Sequence, residues 1–178
     1  MKELKDFEVQ AGWFQNSTYD GKTSIGKIAR IQNNGAVIHQ SKITDKQRAF
    51  LHYAGIHLKK TTNELNIVIP ARPFMDNAKK RLQGEEGKQI LLQEMLRVFE
   101  GRQTMLQAVN RLKEWLKNII QEEIIAIQSP PLARSTVRAR ANRYTTKAKK
   151  ANPQTLAKPL VDTGLMLAEV QGKAEIKK

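Results

Sequence analysis

This chain of 178 residues has no cysteine, which removes disulfide scaffolds and the common cysteine-bearing zinc sites from consideration. Histidine is scarce too: His39, His52 and His57 are all there is. His52 and His57 stand five apart with Gly55 between them, so they do not share the i, i+4 face of a helical zinc pair. No apolar run approaches the ~18 residues that read as a membrane-spanning helix. The opening Met1-Lys2-Glu3-Leu4-Lys5-Asp6-Phe7-Glu8 has no apolar stretch behind its lysine and does not read as a secretion signal. The expectation is a protein made inside the cell, with no membrane partner. In that setting the acceptor pattern Asn16-Ser17-Thr18 carries no glycan.

Acidic residues run short in one place above all. Between positions 129 and 160 there is no Asp or Glu, against eight bases: Arg134, Arg138, Arg140, Arg143, Lys147, Lys149, Lys150 and Lys158. This stretch alone supplies +8 of the formal +14. A block of like charge reads either as a solvated loop or as a contact for a polyanion. Its Ala, Thr, Asn and Arg content buries little apolar area, so residues 129–158 are expected to form a mobile basic loop. Arg134, Arg138, Arg140, Arg143 and Lys147 are the candidate polyanion contacts. Tyr144 is the lone aromatic among them, so the stacking platform of a single-strand binder is missing, and any DNA contact is expected to be weak.

What is present is enough for one ordinary domain over 1–178, with 40% hydrophobic residues to build a core. Val9, Ala11 and Trp13 alternate with polar or small neighbours and predict a strand from Val9 to Phe14. Thr23 or Ser24 precedes a short helical pattern with Ile25, Ile28, Ala29 and Ile31 on one side, ending at Asn34-Gly35. Thr44 and Gln47 form a capping-box pattern ahead of Phe50, Leu51 and Tyr53, with Gly55 closing that helix. Ile56-His57-Leu58 and Leu65 to Ile69 then read as the arms of a hairpin. Met75 to Leu82 is a short amphipathic run broken by Gly84 and Gly87, and Gln89 to Phe99 resumes it.

The clearest element is a helix over Thr104 to Ile127. Leu106, Val109, Leu112, Leu116, Ile119, Ile120 and Ile124 keep i, i+3, i+4 spacing, and Trp115 widens the stripe. Leu112, Leu116 and Ile120 are the expected buried residues. Ser129-Pro130-Pro131 stops this helix. The end of the chain reads as a helical turn after Asp162-Thr163 or as a strand within Ala168 to Ile176.

Chemistry is hard to find in the pattern. Asp20-Gly21-Lys22-Thr23 follows a strand and precedes a helix, the setting of a phosphate-binding loop. The leading glycine such a loop needs is Asn16, and bulky Tyr19 sits inside it. No serine has a nucleophile's setting and no two carboxylates form an acid/base couple. Neither catalysis nor a cofactor is expected.

Two proline-bearing segments stand out instead. In Ile69-Pro70-Ala71-Arg72-Pro73-Phe74 two prolines three apart exclude both helix and central strand, and push Ile69 and Arg72 towards extended backbone. The second segment is Lys158-Pro159-Leu160-Val161-Asp162-Thr163-Gly164, an extended run closing on a capping or turn sequence. The first is expected to hold Arg72 outward as a partner-facing group, while Phe74 is a contact or a core residue.

Both segments, in this order with a helical region between them, resemble the virion-morphogenesis or tail-completion proteins of Mu-like and related tailed phages. Members carry I-P-x-R-P-F in mid-chain and K-P-L-[IV]-D-T-G near the end. The resemblance runs from Val9 to about Val170. It implies a structural component of the head–tail junction that binds sibling subunits, as a ring, together with other tail or neck proteins. It implies a place in the virion after assembly in the host cytoplasm. After Asp-Thr-Gly the family runs D-T-G-x-L-x-x-S-[IV]; here Met166 and Val170 keep the apolar positions, but Glu169 replaces the serine, and Leu165 and Leu167 are apolar where relatives are polar. Either this end is buried differently, or those two leucines form an exposed pair awaiting a neighbour.

The fold expected is therefore α+β, a small antiparallel sheet packed against one long amphipathic helix and shorter helices, with the basic loop outside. Arg72, Pro73, Phe74, Leu165 and Leu167 are the candidate interface. A DNA-binding accessory role through residues 134–150 is the alternative.

Overall fold

Thr104 begins the longest helix, α5 (Met105–Ala126), with a complete capping box: its hydroxyl accepts from the Gln107 amide while the Gln107 side chain accepts from the Thr104 amide. One face of α5 buries Ile119, Ile120 and Ile124, and around them the core assembles. The computed structural model describes residues 7–14, 17–19, 21–53, 55–145 and 157–176. The other elements, in chain order, are β1 (Phe7–Gly12), α1 (Ile25–Asn34), β2 (Ala36–Gln40), α2 (Asp45–Tyr53), β3 (Leu65–Ile69), α3 (Phe74–Gln83), α4 (Glu85–Phe99), α6 (Arg134–Thr145), α7 (Leu165–Ala168) and β4 (Gln171–Ile176). The architecture is α+β.

The sheet is not one but two. β1 pairs antiparallel with β4, from Phe7 opposite Ile176 to Gly12 opposite Gln171. β2 pairs antiparallel with β3, from Ala36 opposite Ile69 to Gln40 opposite Leu65. The β1–β4 ribbon lies on α5, and Val170, at its edge, is buried in the core. Both readings of the C-terminus are therefore realised, α7 as the turn and β4 as the strand. The hairpin reading of Ile56–Leu58 is corrected: β3 takes Ala36-Val37-Ile38 and its neighbours instead, across the intervening α2.

Phe74 stands at the centre of the core, fully buried and edge-on to Trp13 at 6.0 Å between ring centroids. It opens α3, whose proline N-cap position offers no side-chain oxygen. Asn33 of α1 takes over that task, its Oδ1 accepting from the Met75 amide at 2.9 Å while its Nδ2 donates to Asp76. Gly84 separates α3 from α4, as expected, but Gly87 lies inside α4 rather than breaking it. A Cβ at Gly87 would run into the Leu82 carbonyl, so glycine here permits two helices to fold sharply back on each other.

The basic stretch is not a loop throughout. Arg134–Thr145 is the helix α6; Lys147, Lys149 and Lys150 lie outside the described residues. Of the three residues expected beneath α5, Ile120 is buried, whereas Leu112 and Leu116 are half-buried along a groove.

Candidate interaction surfaces

Arg72, held between the two prolines of the first motif, turns inward. Arg72 is only 3% exposed. Its amide donates to the Gln32 carbonyl at 2.8 Å. Its guanidinium donates to the carbonyl oxygens of Pro130 and Pro131 and to Gln32 Oε1. Burial first, and Arg140 nearby second, lower its pKa from the ordinary arginine value. The expected outward-facing arginine is thus a buried clasp that ties the end of α1 to the proline turn after α5. Prolines restrict backbone dihedrals but do not choose a side; the carbonyls freed by Pro130-Pro131, which follow a helix end, choose it.

The second motif is clasped in the same way from the opposite direction. Arg140, on α6 and 7% exposed, donates to the carbonyls of Lys158, Pro159 and Val161 and lies 3.5 Å from the Asp162 carboxylate. One residue expected to meet a polyanion therefore faces into the protein, holding the Lys158–Asp162 segment. Arg134 and Arg138 are exposed. Arg138 leans over Gly55. Arg143 belongs to α6 by its backbone alone, and Lys147 is outside the described residues.

For Leu165 and Leu167 the alternative of a differently buried chain end is the one seen, not the exposed pair. Both are half-buried in α7, and Leu167 packs against the core while its carbonyl accepts from Gln121. Trp13 donates its indole N–H to the Met166 carbonyl at 2.9 Å. Glu169, where the family pattern has serine, accepts from the buried Ser17 hydroxyl at 3.2 Å. Of the five candidate interface residues, Pro73 alone is exposed.

The unpartnered surface lies elsewhere. No described residue between 36 and 69 is fully buried. This segment, β2–α2–β3, forms an arm held by its own hydrogen bonds: the capping box of Thr44 and Gln47, Arg48 to the carbonyls of Lys59 and Thr62, His39 to Asn66, and His52 Nδ1 to His57 Nδ1 at 2.8 Å. Val37 and Val68, directly opposite across the ribbon, are 70% and 68% exposed; Phe50 and Tyr53 of α2 are 62% and 63% exposed. Gly35 is the joint between arm and body. It sits at φ 74°, and a Cβ there would come within 2.8 Å of the Ala71 amide nitrogen.

The other such surface is α4, whose fully buried residues are Gly87 and Glu94. The Glu94 carboxylate accepts from Arg97 and Gln103, both at 2.7 Å. On the opposite side Leu92, Leu96 and Phe99, at i, i+4, i+7 spacing, face solvent, Phe99 at 71%. Beside them an apolar groove of about 640 Å³ runs between β1, α4 and α5, with Phe7, Leu91, Met95, Leu112 and Leu116 in its walls.

No family model, no curated protein and no solved structure matches this chain. The surfaces have to be read on their own chemistry. Among the described residues no group of three or more His, Cys, Asp or Glu is placed to hold a metal ion, and no helix is long and apolar enough to cross a membrane.

Proposed function

We propose that this protein is a structural component of phage virion assembly, acting at tail completion or head–tail joining in the tail or neck, after synthesis in the host cytoplasm. The observation that carries the reading is the amount of apolar side chain spent outside the core, on the arm and on α4. Monomers seldom present such surface unless a partner covers it. The two motif segments support it from the sequence side, and their burial gives them a definite job: Arg72 and Arg140 lock the body from which the arm projects. The partners proposed are sibling subunits and other tail or neck proteins. DNA contact through Arg134 and Arg138 keeps a smaller place, since Arg140 is committed internally.

The test is complementation of a phage lacking the gene, scored by electron microscopy. The wild-type chain restores joined particles. A Phe50→Glu, Tyr53→Glu chain, folded by circular dichroism, leaves separate heads and tails. Full joining by that variant would refute the reading of the arm as an assembly surface.

A further inference from the structure

The last turn of α2 closes on the chain that follows it. The Gly55 amide donates to the His52 carbonyl at 2.9 Å and the Ile56 amide to the Leu51 carbonyl at 2.8 Å, with Gly55 at φ 84°. These nested bonds form a Schellman closure, which turns the chain back at the helix end. His57 is thereby brought to His52, although the two share no face of a continuous helix. Their imidazoles meet edge to face with centroids 4.5 Å apart, and Nδ1 lies 2.8 Å from Nδ1. Both residues are exposed, so water reaches the pair.

Two imidazole nitrogens aimed at each other can share one proton or one metal ion. In the neutral pair one Nδ1–H donates and the other Nδ1 accepts. Once the donor ring carries its hydrogen on Nε2 instead, both Nδ1 lone pairs are available to one ion, with no proton gained or lost. The spacing then selects the metal. Two metal–nitrogen bonds of about 2.0 Å at a right angle set their nitrogens about 2.8 Å apart, whereas a tetrahedral zinc site needs about 3.3 Å. The His52–His57 separation of 2.8 Å is the right-angled bite, that of a tetragonal ion. Copper(II) takes that geometry and stands highest in affinity among the first-row divalent ions. Among the described residues no carboxylate joins the pair, which leaves calcium and magnesium without the oxygen ligands they require. The charged neighbours are cationic: Arg48 one turn earlier on α2, and Arg138 reaching over Gly55 from α6. They oppose any cation, and count most against ions held by charge alone.

We propose that His52 and His57 form a copper(II) site, with the two Nδ1 atoms as adjacent ligands and water in the open positions. The bound ion staples the end of α2 to the chain leading into β3, within an arm otherwise tied by hydrogen bonds. The site stands on its own geometry and does not depend on the assembly reading.

Calorimetric titration of the untagged full chain with copper(II) at neutral pH tests it. His39→Gln is the control, because His39 bonds Asn66 elsewhere on the arm. Wild type and the control bind one ion per chain with the same micromolar or tighter Kd. His52→Gln and His57→Gln, each with unchanged circular dichroism, weaken binding at least tenfold. Should those variants unfold, pulsed electron paramagnetic resonance of the wild-type complex decides instead, by showing the remote nitrogens of two imidazoles. Copper also slows tryptic cleavage after Lys59 and Lys60 in wild type, but not in His52→Gln. Equal affinity in wild type and the two site variants overturns the proposal, as does a resonance signature of one imidazole or none. Tight binding that leaves the rate of cleavage unchanged overturns the staple.

Discussion

Body and arm are made of similar residues and hold together by different means. The body surrounds Phe74, Ile120, Ile124 and Val170 with a packed core and satisfies its chain ends with Arg72 and Arg140. The arm has Val37, Ile38, Phe50, Tyr53, Ile67 and Val68, as apolar a set as many cores, and leaves all of them substantially exposed. Its conformation rests on caps, cross-strand pairs and Arg48. Apolar side chains that contribute little to folding remain available for binding, and that is what the contrast teaches.

The contrast can be broken at its strongest point first. Phe74→Ala removes a fully buried ring and its edge contact with Trp13, and should cost about 3–5 kcal/mol in thermal or denaturant unfolding. Next, Arg72→Leu leaves the Pro130 and Pro131 carbonyls without their donor, with an expected loss of about 1–3 kcal/mol by the same measurement. A neutral outcome there would place the clasp outside the framework that supports the arm.

A smaller effect comes from the charged cluster where α3, α4 and α5 meet. Arg81 donates to Glu86, Glu122 and Glu123, which raises the Arg81 pKa and lowers that of Glu86, chiefly through their mutual hydrogen bond. Because the folded Glu86 pKa lies below its unfolded value near about 4.3, its contribution is complete above that pH. It is lost as pH falls through the folded value. The Glu86 side chain is 40% exposed, so solvent screens the pair. Glu86→Gln should therefore cost only about 0.5 kcal/mol at neutral pH and shrink the acid-side loss of stability in urea titrations. Smallest of all, Phe50→Ser should change the stability of the monomer by less than about 0.5 kcal/mol. A cost near that of Phe74→Ala would mean the arm has a core after all.

Much of this body is legible in the sequence. The α5 stripe, the Thr44 cap and the terminal glycines act over three or four residues, and such local signals survive into the fold. The long-range pairings do not announce themselves. Ala36-Val37-Ile38 has no alternation because neither face of β2 is fully buried, so nothing in its pattern points to Leu65–Ile69 as its partner. Arg72 is legible as fixed but not as inward: two of its acceptors lie almost sixty positions away, after the end of another helix, and the third is on α1. The Arg134–Thr145 helix is hidden because composition shows charge density and not that Arg140 turns inward to bond the Lys158–Val161 carbonyls. The exposed stripe on α4 reads in sequence like any buried stripe, and only the position of Glu94 on its other side separates the two.

The antiparallel β1–β4 ribbon joins the first described residue to the last, Phe7 opposite Ile176. Such a pairing spans almost the whole contour of the chain, so it carries the largest loop-closure penalty in the molecule and is expected to form late during folding. During synthesis β1 leaves the ribosome well before β4, its hydrogen-bonding partner. For that interval its backbone edge, with Phe7 and Val9 beside it, is open to the wrong strand. Nascent chains of this protein thus pass through a stage in which a strand edge of the body, closed in the folded protein, is open.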